Sequence, residues 1–431
     1  MDPVRRIRAQ EVTIMRTIGS GRRRSGAALV LAWAMALGPQ ASGAVPGDLD
    51  PTFDGDGKRV VDLGGTDQSQ AVAARQGKIL IAGTTNEGGD NDFAVVQLTN
   101  GGVPDPSFGG GDGVVTTDFF GGYDSAYAVE LLPKGKFLVA GQALDGQGRS
   151  RFAVARYRRS GALDTSYGSK GKRTVAFPGN AVALDMVRLP DGSTVLVGAS
   201  YPKENFVLTR LTKGGRVMRS FGKKGRVITN LGGEDGASAA ALQDDRIVVA
   251  GSSGASSATL NVALARYRLG GALDRRFAGN GKKVVSMVAG RDWANDLVVL
   301  ANGRILVVAY TGGDIGLARF KPNGGLDRSF GGGDGKVLAD FGDDETGQAL
   351  VRSGKKLVVG GGFGEPPDPA VFRFGPGGGV DATFGSGGMA VADFGPDIAL
   401  AWGVALQGTR ILTAGYTETP GGDIVAARFL G

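Results

Sequence analysis

One short phrase recurs seven times between residues 53 and 384, and its period decides the architecture before any single residue does. Its aromatic residue falls at Phe53, Phe108, Tyr167, Phe221, Phe277, Phe330 and Phe384, at intervals of 55, 59, 54, 56, 53 and 54 residues. Most copies read Gly-x-Leu-Asp-x-x-Phe-Gly, as in Gly325-Leu326-Asp327-Arg328-Ser329-Phe330-Gly331. One such unit cannot bury its apolar face alone, so consecutive copies must pack against each other.

Each period holds four short β-like segments separated by glycine-rich turns. The first follows the aromatic residue, as in Gly225-Arg226-Val227-Ile228. The second is a small apolar stretch such as Ala126-Tyr127-Ala128-Val129. The third is the clearest, Gly135-Lys136-Phe137-Leu138-Val139-Ala140-Gly141, and the fourth reads Phe152-Ala153-Val154-Ala155-Arg156-Tyr157. Short runs rich in Val, Ile, Phe and Tyr and bounded by Gly, Asp and Asn are strands. No stretch after residue 45 sustains a helical period. The 77 glycines cluster at segment ends, where turns need positive φ. Seven four-stranded units predict an all-β chain folded as a seven-bladed β-propeller, in which radial packing leaves only short edges. A β-solenoid, the competing repeat architecture, uses shorter coils and need not close.

These phrases, with Leu-Asp-x-x-Phe-Gly-x-x-Gly-Lys-Val, resemble those of the bacterial delta-60 repeat proteins along the whole chain after the leader. That resemblance implies a β-propeller and an exported or surface protein. It implies no activity.

The phase of the ring can be read from its ends. If the segment after each aromatic residue is the outermost strand, as in the similar NHL-type propellers, the N-terminal strand near residues 57–63 completes a last blade begun by residues 399–429. Closure of this kind removes the free sheet edges of an open ring. A second regularity points the same way. An arginine lies eight residues before the phrase aspartate in Arg156–Asp164, Arg266–Asp274, Arg319–Asp327 and Arg373–Asp381. Gln97 replaces the arginine before Asp105, and Met218 replaces the aspartate after Arg210. Arg428 has no aspartate after it and Asp50 no arginine before it, so in a closed ring the two should meet. Repetition in nearly every blade reads as a structural turn brace, with aspartate bonding local backbone and arginine clamping it.

Charge and composition exclude several function classes. Residues 1–44 hold seven arginines against Asp2 and Glu11, so +5 of the chain's +7 sits there and no phosphate-binding surface or nucleic-acid partner is supported. That segment reads as a secretory signal. Arg22-Arg23-Arg24 precedes the apolar stretch Ala27–Leu37, which is too short to span a bilayer, and cleavage after Ala44 is expected, with Met15 as a plausible true start. Residues 45–431 are then a single propeller, expected as an exported monomer in the cell envelope or medium with no membrane span in the mature chain. The chain has no cysteine and no histidine. Disulfides, thiol nucleophiles, histidine-based triads and imidazole-held zinc cannot be built from it.

One recurring position suggests chemistry. Asp67, Asp124, Asp235, Asp292, Glu345 and Asp397 precede the small apolar strand in six repeats, and Asn180 stands there in the third. With that strand innermost, they would form a ring near one channel mouth, able to hold Ca²⁺ or a cationic ligand through oxygen. The alternative is that each caps its own turn. Asp54 and Asp56 only loosely resemble a calcium loop. Trp293 and Trp402 are expected packed under loops rather than offered to a ligand. No catalytic or cofactor-binding residue stands out. The connections before the fourth segment vary most, and variable loops on a rigid scaffold carry specificity. The sequence therefore favours an exported, non-enzymatic binding or interaction module for an extracellular protein or carbohydrate. An extracellular carboxylate-based hydrolase or lyase at the channel mouth is the alternative, and a structural spacer a third reading.

Overall fold

Seven four-stranded antiparallel sheets occupy the chain from Lys58 to Phe429. The computed structural model describes residues 44–75, 77–418 and 421–431. The signal-sequence reading of residues 1–44 falls almost entirely outside them. Among the described residues the only helical element is a 3-10 turn at Pro133–Gly135.

Blade 1 comprises Gln68–Arg75, Lys78–Thr85, Asp92–Thr99 and Val114–Thr117, named here inner, second, third and outer strands. Blade 2 is Asp124–Leu131, Phe137–Leu144, Ser150–Tyr157 and Lys172–Val175. Blade 3 is Asn180–Arg188, Thr194–Tyr201, Asn205–Leu211 and Arg226–Thr229. Blade 4 is Glu234–Gln243, Arg246–Gly254, Asn261–Arg268 and Lys282–Val285. Blade 5 is Trp293–Val299, Ile305–Tyr310, Ile315–Phe320 and Lys336–Ala339. Blade 6 is Glu345–Ser353, Lys356–Phe363, Asp368–Phe374 and Met389–Val391. Blade 7 takes Ala399–Gln407, Arg410–Thr417 and Ile424–Phe429 from the C-terminal end and Lys58–Val61 from the N-terminal end as its outer strand. Lys58 pairs with Ala427 and Val61 with Ile424, the interlocked closure that the repeat phase requires. Each inner strand touches the inner strands on either side, and Ala399–Gln407 meets Gln68–Arg75, so the ring has no gap.

Blades stack face to face, which buries the second and third strands on both sides. Their sequences are accordingly continuous apolar runs rather than alternating ones. Phe137, Leu138, Val139 and Ala140 are all buried, as are Phe152, Ala153, Val154 and Ala155. The phrase aromatic fills the junction between consecutive blades. Phe108 packs with Leu80, Ala82, Phe93 and Val95 of blade 1 and with Phe137 and Val139 of blade 2. All seven phrase aromatics are 2% exposed or less, and full burial of such a side chain is worth about 1.5–3 kcal/mol. The period in the sequence is the spacing of these wedges.

Antiparallel order sorts the connections onto two faces. One carries the hairpins between inner and second strands and the phrase itself, between third and outer strands; it is the brace face. The other, the entry face, carries the variable second-to-third loops and the crossings from one blade's outer strand to the next blade's inner strand.

Candidate functional site at the blade junctions

The brace face is saturated with internal partners. Arg156, Arg319, Arg373 and Arg428 place Nε at 2.9, 2.8, 2.7 and 2.8 Å from Oδ2 of Asp164, Asp327, Asp381 and Asp50, and Arg266 Nη2 lies 2.9 Å from Asp274. Each guanidinium also covers the ring of the phrase aromatic, at 4.5–5.0 Å for Tyr167, Phe277, Phe330, Phe384 and Phe53. The aspartate's other oxygen accepts from the residue two places on, as when Ser329 Oγ donates to Asp327 at 2.8 Å. These are braces built from an antiparallel strand end and its turn.

Sequence reasoning missed a further basic residue on each phrase aspartate, which is a second cation everywhere except at Asp105, where Gln97 replaces the arginine. Lys78, Lys136, Arg246, Arg304 and Lys356 approach Asp105, Asp164, Asp274, Asp327 and Asp381 at 2.6, 2.7, 3.2, 2.7 and 2.7 Å, and Arg410 joins Asp50. The signal was present, because a basic residue opens or immediately precedes every one of these second strands. Burial opposes ionisation of Asp105, yet Lys78, Ser107 and Gln97 outweigh it and hold its pKa down to about 2. In the blade lacking the aspartate, Arg210 turns to Asp191 at 2.6 Å and to the Ser193 hydroxyl at 2.9 Å.

On the entry face, five of the six recurring carboxylates are fully buried, and Asp397 is exposed. Each buried one reaches back along its own connection to a backbone N–H. Asp67 and Asp124 accept from Leu63 and Phe119 at 2.6 Å, Asp235 from Leu231 at 2.5 Å, and Glu345 from Phe341 at 2.9 Å. Asp292 accepts from Val288 at 3.1 Å and from Val262 at 2.9 Å. Asn180 instead accepts from the Ser150 N–H at the start of blade 2's third strand, at 3.0 Å. Turn capping is thus the common geometry of the buried carboxylates. Three of them meet other acids, though not one another. Among the described residues, Asp67 groups with Asp62 and Asp423, Asp124 with Asp92 and Asp118, and Glu345 with Asp314 and Asp340, with ligand oxygens in each group within 4.8 Å. Burial, together with the charges of Asp118 and Asp92 and against the help of Lys172, pushes Asp124 up to about 8. Glu345 is pushed up to about 7 by burial, with Asp340 and Asp314 adding to it. Asp54 and Asp56 serve locally instead, on Arg59 at 3.1 Å and on the Lys58 N–H at 2.9 Å.

The inner ring carries a feature with no repeat to announce it. Every inner strand has a bulge at the same place, for example between Ala183 and Asp185 and between Ala294 and Asp296. In two blades the next residue is an acid that reaches the following blade. Asp185 Oδ2 accepts from Ala240 N–H and Asp296 Oδ2 from Leu350 N–H, both at 2.7 Å. Burial pushes Asp185 up to about 8, with Asp296 contributing, and pushes Asp296 up to about 6. Trp293 and Trp402 are both buried, stacked on Tyr310 and Tyr416 at 4.3 and 6.2 Å.

Comparison with known proteins agrees with the architecture. Residues 77–108, 133–167, 242–277, 300–330 and 355–384, less than half of the chain, match a family model described as a domain of unknown function (DUF5122) beta-propeller. Each match runs from the second strand to the phrase aromatic, so the brace lies inside it. No curated protein matches the chain. Among solved structures, a catalytically inactive virginiamycin B lyase from Staphylococcus aureus aligns at 10% identity with a TM-score of 0.51, covering 86% of this chain and 98% of that one. The WD40 beta propeller domain of Doa1 aligns at 10% identity and TM-score 0.49, over 86% and 97%. Sqt1 from Chaetomium thermophilum aligns at 14% and 0.45, over 86% and 100%. At these identities the likeness is one of fold alone.

Proposed function

We propose that the protein is an exported, non-enzymatic binding module that offers its entry-face loops to an extracellular protein or carbohydrate. The difference between its two faces carries this reading. Brace-face connections repeat the same internal partners in most blades, whereas the second-to-third loops differ in length and in most of their partners, although Ser200 and Thr311 make the same hydroxyl-to-carbonyl bond. Asp145 gathers Arg149 and Arg151 in blade 2, Ser256 bonds Thr259 in blade 4, and the Thr311 hydroxyl bonds the Asp314 carbonyl in blade 5. Variation confined to one face of a rigid scaffold is the usual form of a recognition surface. The leader, the resemblance to delta-60 proteins and the lack of histidine and cysteine support export and a role without chemistry. The test replaces loops 86–91 and 255–260 with the short Pro202–Glu204 connection and measures capture from a cell-envelope extract and a glycan array. Capture by the parent and loss in the exchanges, at unchanged thermal stability, is the expected result. Capture that survives both exchanges counts against the entry face.

A carboxylate-based hydrolase or lyase is the second reading, favoured by the unequal proton affinities of Asp185 and Asp296. Turnover of a glycan or peptide substrate that disappears in Asp185→Asn would support it over the first.

A further inference from the structure

The seven entry-face corners are equivalent places in the ring. Each combines a residue at the start of a third strand, the residue after that blade's outer strand, and the carboxylate or amide before the next inner strand. In most corners the next blade's outer strand opens with a basic residue that reaches into the corner. Lys172 donates to the Asp118 carbonyl at 2.6 Å, Lys336 to that of Ser286 at 2.7 Å and Lys58 to that of Asp393 at 2.8 Å. Lys282 and Arg226 do the same for Asn230 and Ala176, each at 2.5 Å.

Two corners break the pattern. Val114 pairs with Val96 and Met389 with Phe372 in the register that elsewhere holds the basic residue. These are the corners of Asp62, Asp67 and Asp423 and of Asp314, Asp340 and Glu345, each made of three acids. Two other corners also hold three acids, Asp92, Asp118 and Asp124 and Asp368, Asp393 and Asp397, but there Lys172 and Lys58 supply a positive charge. Three acids without a basic arm therefore occur, among the described residues, in these two corners alone. Asp67 and Glu345 are fully buried; Glu345 Oε2 has no hydrogen-bond donor, and beside Asp67 only the Thr85 hydroxyl and the Leu63 N–H offset its burial. A buried carboxylate oxygen facing two further acids needs a counter-charge or a proton.

We propose that Asp62–Asp67–Asp423 and Asp314–Asp340–Glu345 are two Ca²⁺ sites, in which the ion stands in for the basic arm of the other corners. Calcium accepts six to eight oxygens in flexible geometry, which suits three carboxylates completed by water. Exposed Asp62 and Asp340 keep one side of each corner open to that water. Few charged ligands on loops correspond to a dissociation constant of about 10⁻⁴–10⁻³ M, the range of extracellular modules.

Calorimetric titration of CaCl₂ into the chelator-stripped protein tests this. Two ions per chain are expected. Asp340→Asn, at an exposed side chain, should lower the number to one. Met389→Lys, which installs the amine found in the other corners, should do the same and should also make thermal stability less dependent on calcium. No calcium binding at concentrations up to about 10 mM, or a stoichiometry that neither variant changes, overturns the proposal. Magnesium binding as strongly as calcium overturns the choice of ion.

Discussion

Arg428 Nε lies 2.8 Å from Asp50 Oδ2, an ion pair between the two ends of the chain that closes the ring. Arg428 is fully buried, covers the Phe53 ring at 5.0 Å, and donates to the Thr52 hydroxyl at 2.8 Å and to Gln407 at 2.9 Å. In blades 1–6 the phrase connection joins the third strand covalently to the outer one. In blade 7 that covalent link is absent, and hydrogen bonds, this brace and the apolar packing of Phe53 and Val61 hold Lys58–Val61 in place.

Arg428→Ala should therefore be among the most destabilising brace substitutions, at about 3–5 kcal/mol, because it strands buried Asp50 beside Arg410 alone. Urea unfolding measures the loss. Amide exchange adds a local check, since Lys58–Val61 should lose protection while Lys336–Ala339 does not when Arg319→Ala is made in blade 5. Equal behaviour of the two outer strands would mean that closure does not depend on the pair.

Blade 3 offers a rescue experiment. Arg210 lacks the phrase aspartate and holds Asp191 at 2.6 Å instead. Asp191→Ala should cost about 1 kcal/mol, the scale of a partly exposed pair. Adding Met218→Asp, which restores the aspartate eight residues on, should recover most of that loss. Purely additive effects in this double-mutant cycle would show that Arg210 does not move between partners.

The fold was legible because its signals are local and repeated: glycine-bounded apolar runs, a fixed period, and aromatic wedges at that period. The Arg–Asp brace was legible for the same reason, since eight residues connect a strand end to the turn that follows. The further basic residue of each brace was harder to see. Lys136 and Asp164 are brought together only when blade 2 pairs its second and third strands. The acidic corners draw on three strands in two blades, so neither their burial nor their grouping follows from any one repeat. Asp185 and Asp296 depart from the repeat, and a departure signals only that something differs.

The closing glycine of the second-strand motif answers to the inner-strand bulge. A Cβ on Gly141 would sit 1.8 Å from the Ser125 carbonyl oxygen, and one on Gly361 would sit 1.6 Å from that of Thr346. Backbone must move to admit it, so Gly141→Ala should cost about 1–3 kcal/mol in urea unfolding. Blade 5 carries Ala309 at this position, opposite Ala294. Ala309→Gly should consequently change stability by less than Gly141→Ala does. A neutral Gly141→Ala would show that every bulge can relax as blade 5's does.

Stability should also depend on pH through two opposed sets of acids. Asp185 and Asp296 hold their protons up to about 8 and about 6, first through burial. An unfolded carboxyl titrates near 3.9, so between about pH 4 and 8 the folded state binds more protons than the unfolded one. Stability from these groups is complete below pH 4 and falls as pH rises through that window. Asp105, held down to about 2, has the opposite sign: its contribution is present above pH 4 and is lost as pH falls towards 2. A maximum in mildly acidic solution follows. Asparagine keeps an oxygen for the Ala240 and Leu350 N–H groups and cannot ionise, so the double variant Asp185→Asn with Asp296→Asn should reduce the fall in melting temperature between pH 5 and 8 by roughly two fifths, with Asp124 and Glu345, pushed up to about 8 and about 7, carrying much of the rest. At pH 5 its stability should be close to the parent's. An unchanged slope from pH 5 to 8 would place the titrating groups elsewhere in the ring.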